Sequence, residues 1–274
     1  MKCYLTIIAT MLSTAFVWAQ ESTPFNSSRP GQAFTPLTVG KSSIQLQSGF
    51  SVSDIWDQFD DGSTALYFSA LGNNNTFRYG LSDKVELRAE VNSTRQYENF
   101  LENGAGGSAS GATWMTIGSR ILLSANDEKS QYLSIQSSLT IPLWERAALL
   151  SEPDLLQLLL AYSRPFLTKA TLTANLSVST SDFFRENQVG YVLNVAFPIS
   201  KKLGGFVEHY GSLTAETLLP SWDAGLAFML KPDLQLDLSA GFGEVDTNVI
   251  LGMQQWFVDT GISWRIRNGS SKTE

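Results

Sequence analysis

The sequence predicts an all-β fold of one kind: a transmembrane antiparallel up-and-down β-barrel of about twelve strands, of the outer-membrane type found in Gram-negative cells. Three observations lead there. The chain opens with a secretory leader, the remainder alternates with a period of two, and the polar side of that alternation is built from small neutral residues rather than Lys and Glu.

The leader occupies residues 1–20. Lys2 gives a positive start, an apolar stretch runs from Tyr4 to Val17, and Val17-Trp18-Ala19 offers a small-residue cleavage site. The single cysteine, Cys3, precedes the apolar stretch, so the mature chain has neither disulfides nor thiolate metal sites. Without the leader, 18 basic and 26 acidic side chains remain, with no Lys/Arg cluster, which argues against a nucleic-acid partner. Only 16% of residues are charged while 43% are hydrophobic, below the usual quarter for charge and too apolar for a disordered chain. After the leader no apolar run reaches the roughly 18 residues of a spanning helix. The greasiest stretch, Leu155 to Ala161, is far shorter. Spanning strands leave only a weak hydropathy trace and stay possible.

Alternation carries the strands. In 84–91, Val85, Leu87, Ala89 and Val91 oppose Lys84, Glu86, Arg88 and Glu90. In 171–178, Leu172, Ala174, Leu176 and Val178 oppose Thr171, Thr173, Asn175 and Ser177. Trp222, Ala224, Leu226, Phe228 and Leu230 oppose Asp223 and Gly225, and the same pattern recurs in 132–141, 188–197, 234–242 and 256–266. A helix scatters such residues around its surface; a strand sorts them onto two faces. The candidate strands lie near 41–52, 64–79, 84–98, 112–123, 131–143, 155–164, 169–180, 188–199, 205–214, 222–230, 233–243 and 253–267. Ten or fourteen remain alternatives, because 53–70 and 144–165 read least clearly. Short connections such as Gly80 to Asp83, Ser200 to Leu203 and Lys231 to Asp233 alternate with longer polar ones, Asp54 to Ser63, Asn99 to Gly111, Trp144 to Asp154 and Glu244 to Gly252. That is the plan of an outer-membrane barrel with both termini at the periplasmic end. The chain divides into a leader (1–20), a periplasmic lead-in (21–40), the barrel (41–267) and a C-terminal tail (268–274). A soluble sandwich would put Lys and Glu on its polar face; here Ser, Thr, Asn, Gln and Gly prevail, and Tyr191, Trp222, Trp256 and Trp264 stand on the apolar face like interface girdles.

Several short motifs resemble one family. Arg78-Tyr79-Gly80-Leu81-Ser82-Asp83, followed by Glu86-Leu87-Arg88, resembles a hairpin of the outer-membrane transporter family known as "MetA-pathway of phenol degradation". Leu167-Thr168-Lys169 leading into Asn175-Leu176, the closing pair Leu236-Asp237-Leu238 and Asp259-Thr260-Gly261-Ile262-Ser263-Trp264, and Thr35-Pro36-Leu37 with Ile44-Gln45-Leu46-Gln47 are similar to its later and first strands. The resemblance implies a transporter or channel; the phenol link does not transfer with it. The chain departs from the family in continuing past Ile266 instead of ending on its last strand.

A twelve-strand barrel is about 24 Å across at the backbone, so inward side chains leave a narrow lumen. The residues assigned to line it are Arg78, Glu86, Arg88, Glu90, Arg120, Gln136, Asn175, Glu208, Asp237, Asp259 and Arg265. Mixed Arg and Asp/Glu can impose a transverse field on a solute, or pair with one another as polar filling, Glu86 with Arg88 for instance. Asp54, Asp57, Asp60 and Asp61 could bind calcium but read more simply as a solvated loop. Gly104 to Ser108 lacks the strand–turn–helix setting of a phosphate loop. Pro24, Pro30 and Pro36 mark the lead-in as flexible, although it could fold into the barrel as a plug. The only histidine, His209, is three residues from Ser212, the wrong spacing for a lipid-hydrolysing pair on one strand face. No catalytic residue, metal site or cofactor is expected. The expected function is passive passage of a small, unidentified solute, with outer-membrane lipids and the outer-membrane assembly machinery as partners. The alternative is a closed structural or surface-interaction barrel.

Overall fold

A computed structural model describes residue 25 and residues 27–58, 64–98, 109–126, 128, 130–146, 156–181, 186–213, 218–245 and 253–267. The leader, the Gly104–Ser108 run, Asp60, Asp61 and the tail 268–274 lie outside these residues.

The described strands are β1 (Ser43–Gln58), β2 (Thr64–Gly80), β3 (Val85–Glu98), β4 (Ala109–Ala125), β5 (Tyr132–Arg146), β6 (Leu156–Phe166), β7 (Ala170–Ser181), β8 (Glu186–Pro198), β9 (Leu203–Leu213), β10 (Leu218–Lys231), β11 (Leu234–Val245) and β12 (Met253–Arg267). Each pairs antiparallel with its neighbours, and β1 pairs with β12 from Ser43↔Arg267 to Trp56↔Gln254, so the sheet closes into a barrel. Closure satisfies the backbone polar groups within the wall, which a lipid environment demands. Among the described residues no helix is long and apolar enough to cross a membrane; the strands do the crossing.

The wall is inside-out relative to a soluble domain. Arg78 and Arg120 are completely buried, while Phe50 is 48% and Leu238 51% exposed. Alternation explains this directly: in β11, Gln235, Asp237 and Ser239 point inward and Leu236, Leu238 and Ala240 outward. Aromatic residues belt the exterior near both rims. Trp144, Trp222, Phe242 and Trp256 stand toward the long-loop end, and Phe77, Phe166, Phe197, Phe228 and Trp264 toward the short-turn end. Trp256 and Trp264 are separated by about 26 Å of strand, or about 20 Å of membrane depth at the usual tilt, close to the ~25 Å apolar band of such barrels.

Among the differences from the sequence expectation, two change how residues are assigned. β1 continues to Gln58, so Asp54 and Asp57 belong to a strand rather than to the solvated loop expected from Asp54 to Ser63, and Asp54 accepts a hydrogen bond from the Ser69 hydroxyl at 2.8 Å. Pairing with β2 outweighs the weak strand preference of aspartate. Residues 27–40, read from their prolines as a flexible periplasmic lead-in, run inside the barrel against both sides of its wall.

Candidate functional site

The interior is organised around this N-terminal segment. At its start, the Ser27 hydroxyl lies 2.7 Å from that of Ser263 and accepts from the Gln47 amide at 2.6 Å. Arg29 donates to Asp259 at 2.5 Å and to Asp237 at 3.2 Å, and its carbonyl accepts from Gln235 at 3.0 Å. Burial pulls the Arg29 guanidinium down, but the hydrogen bond to Asp259 and the charges of Asp237 and Asp259 outweigh it and hold the group above the usual arginine value. Gly31 follows with φ +90°, a left-handed turn whose missing side chain leaves room for Phe206 and the Glu208 carboxylate. That turn aims the next two backbone N–H groups at Glu208, from Gln32 at 2.6 Å and Ala33 at 3.1 Å.

Deeper along the segment, Phe34 exchanges two hydrogen bonds with the Asn175 side chain, at 2.7 and 2.8 Å, so a side-chain amide stands in for a neighbouring strand. Its ring lies 4.9 Å from the Arg88 guanidinium and 6.0 Å from that of Arg120, a cation–π arrangement. The Leu37 carbonyl accepts from Arg120 at 3.0 Å and Arg78 at 3.3 Å, and the Val39 N–H donates to Glu86 at 2.9 Å. Thr38 then donates to the Asp83 carbonyl, and Ser42 to the Gly80 carbonyl, both at 2.8 Å, delivering the chain into β1.

The eleven residues assigned to the lumen from sequence fall on this interior. Arg78, Glu86, Arg88, Arg120, Gln136, Asn175, Glu208, Asp237 and Arg265 are buried, and Glu90 and Asp259 are half-buried. Nine of them touch the segment, Arg265 through the Phe25 ring at 5.3 Å. Gln136 and Glu90 act one step back: the Gln136 carbonyl accepts from Arg88 at 3.1 Å and Arg120 at 2.9 Å, and Glu90 pairs with Arg88 at 2.7 Å. The Glu86–Arg88 pair expected from their i, i+2 spacing is replaced by a cross-strand one. Glu86 holds Arg78 through two contacts of 2.8 Å, and Arg120 approaches it to 4.0 Å. The β2–β3 register sets Arg78 beside Arg88 and one step from Glu86, and a forked guanidinium prefers two oxygens at once.

Other interior residues escaped the sequence reading. Ile55, Leu159 and Leu219 are buried facing inward and with Trp114 line the outer part of the lumen. In the all-leucine stretch of β6 both faces are apolar, so alternation marks no lumen side there. Asp223 was legible as the polar partner of Trp222; it is buried directly across the β9–β10 ladder from Glu208. His209 lies between the Tyr191 and Trp222 rings, at 5.4 and 4.3 Å between centroids, whereas Ser212 lines the lumen. The two groups a lipid hydrolase would join stand on opposite faces of the wall.

The segment divides the interior. A cavity of about 650 Å³ on the long-loop side is lined by Gln32, Phe34, Trp114, Asn175 and Tyr210, and one of about 480 Å³ on the short-turn side by Arg29, Ala33, Leu37, Gln235 and Phe206.

A closed barrel with a lipid-compatible, aromatic-belted exterior and a charged, partly hollow interior is an outer-membrane β-barrel. The solved structures it matches agree in fold. The COG4313 outer membrane channel from Pseudomonas putida F1 aligns over 88% of this chain and 100% of its own, with a TM-score of 0.62 and 12% identity. The NanC porin aligns over 81% of this chain and 100% of its own (TM-score 0.54, 8% identity), and the KdgM porin over 81% and 98% (TM-score 0.51, 8% identity). No family model and no curated protein matches the sequence.

Proposed function

We propose that this protein is a passive outer-membrane channel for small polar solutes, constricted by its own N-terminal segment. The observation that carries the reading is the interior itself: two cavities within a hydrophilic, charge-lined barrel, separated by a strap rather than by a packed core. The channel and porin folds it matches, and the resemblance of Arg78 to Arg88 to the phenol-degradation transporter hairpin, support the same reading. Transport needs no cofactor; solute moves down its gradient, and the lumen charges orient it.

The segment also favours a second reading, a closed barrel with a structural role, because wall residues on both sides of the lumen hold it. Single-channel recording of the refolded mature chain in a planar bilayer separates the two. Discrete, ion-selective steps are expected. A silent bilayer, with heat-modifiable migration confirming the fold, would leave the closed barrel.

A further inference from the structure

We propose that the outer surface of β1 to β4 binds a phosphorylated glycolipid of the outer leaflet, with Arg95 on its phosphate. The exterior of the barrel is lopsided. On the β6–β11 side the outward positions in mid-wall are apolar, Leu176, Leu193, Leu226 and Leu238 among them. On the other side Ser48, Asn73, Asn75, Ser93 and Thr113 share the outward face with Phe50, Leu71 and Phe77, while Thr76 and Arg78 between and beside them are buried. Asn75 and Asn73 stand two and four residues above Phe77 on β2, about 5 and 10 Å of depth at the usual tilt, inside the ~25 Å apolar band. Lipid tails offer such groups no partner. The side chains are instead strung together. The Ser48 hydroxyl donates to Asn75 at 2.8 Å, Asn75 donates to Asn73, and Asn73 donates to the Gly49 carbonyl at 2.9 Å. The Ser93 and Thr113 hydroxyls lie 3.1 Å apart. Among the described residues, each of the two amides keeps one N–H unused.

This stripe leads up to a recess of about 430 Å³ on the outer surface, walled by Phe50, Leu71 and Trp144 and carrying Asn73, Thr113 and Arg95. The Trp144 ring lies across Gly111, where a Cβ would come within 3.1 Å of it. Ser93, Thr113 and Trp144 form one rung of the ladder, and Arg95 faces Gly111 on the next outward rung toward the long-loop end. Arg95 therefore stands just above the aromatic belt, at the level of lipid headgroups. It is exposed, its guanidinium lies 5.5 Å from the Tyr97 ring, and among the described residues no carboxylate is within ion-pair distance of it. A guanidinium grips a phosphate through two parallel N–H bonds. Beneath its phosphate a glycerophospholipid offers only ester carbonyls. A glycolipid with sugar hydroxyls and amide-linked acyl chains sets donors and acceptors against the whole stripe. A second copy of this chain fits less well. A two-fold axis along the membrane normal keeps every residue at its own depth and would set Arg95 against its counterpart, like charge to like.

The test is native mass spectrometry of the refolded mature chain in detergent micelles. The chain is titrated with lipid A, an acylated glucosamine disaccharide bisphosphate, and with phosphatidylglycerol as the control anion. Lipid A should bind at least about tenfold more tightly than phosphatidylglycerol. Arg95→Gln should weaken lipid A by at least about tenfold. The double variant Asn73→Leu, Ser93→Ala, which leaves every charge in place, should weaken lipid A several-fold and leave phosphatidylglycerol unchanged. Arg164→Gln, which removes an exposed arginine at the short-turn end, should change neither. Equal affinity for the two lipids, or lipid A affinity unchanged by Arg95→Gln or by the double variant, would overturn the proposal. A dimer in the spectrum that Asn73→Leu dissolves would overturn it in favour of a second copy. None of these readouts needs current, so a silent bilayer would refute the channel and leave the lipid site standing.

Discussion

At the scale of single residues, Glu86 is the most heavily committed group in the barrel. Its carboxylate holds the Arg78 guanidinium, lies near Arg120 and caps the Val39 N–H, all in a region closed to solvent. Substituting it leaves two buried guanidinium groups short of their counter-charge, and breaking one side of such a pair costs about 3–5 kcal/mol. Glu86→Gln is therefore expected to lower the unfolding free energy by about 3 kcal/mol, read from urea titration in lipid vesicles. An unchanged midpoint would mean that water reaches this pair. The same local view accounts for the Arg78-Tyr79-Gly80 motif. Arg78 points inward to Glu86 and the Leu37 carbonyl, and Gly80 lies against the Gly40 carbonyl where no Cβ fits. Gly80→Ala should push the Gly40 turn away and loosen the segment above it. Chymotrypsin would then cut after Phe34 in the folded variant while sparing it in the wild type; equal resistance would show that the turn absorbs the methyl group.

At the scale of elements, the strands were legible and the segment was not, for a physical reason. A strand between lipid and polar lumen must alternate, so β3, β7 and β11 declare both faces in their residue order. Residues 27–40 pack inside an enclosure and make backbone hydrogen bonds to side chains on widely separated strands, which leaves no period in the sequence. The lumen residues could be identified by face, but their partners depend on register. Spacing along β3 suggests Glu86 with Arg88, whereas pairing across β2 and β3 gives Arg78. The inward cluster of Ile55, Trp114, Leu159 and Leu219 was hidden because alternation reports a change of polarity, and there is none where both faces are apolar. If the segment is the main constriction, deleting residues 21–37 joins the cavities of about 650 and 480 Å³ into one passage. Single-channel conductance should then rise several-fold in the planar bilayer. Conductance equal to that of the full mature chain would mean that the segment already leaves the lumen when the channel conducts.

At the scale of the whole molecule, two asymmetries govern behaviour. One is radial: apolar outside, polar inside. Leu238 lies mid-strand on the lipid face, beside inward Ser239; Leu238→Arg should destabilise the barrel by about 2–4 kcal/mol, as charges do near the bilayer midplane. A vesicle-unfolding titration that registers no loss would contradict the assignment of that face to lipid. The other asymmetry runs across the lumen. Arg78, Arg88 and Arg120 lie on β2 to β4, and Glu208, Asp223, Asp237 and Asp259 on β9 to β12. Glu86 and Glu90 pair with the arginines on one side, where Gln136 adds only a neutral acceptor; on the other side the four carboxylates face Arg29, with Arg265 also buried on β12. Four carboxylates against two cations leave the β9–β12 side the more negative. A unit charge about 6 Å from a permeating ion in a half-wet lumen contributes on the order of 1 kcal/mol, about fivefold in the local concentration of cations. Under a tenfold KCl gradient the zero-current potential of the wild type should lie on the cation-selective side. Asp259→Asn should move it toward zero, and Arg88→Gln, which frees Glu90, should move it further toward cations. If both substitutions leave the potential where it is, ions pass without sensing either wall, and the charged interior is filling that holds the N-terminal segment in place.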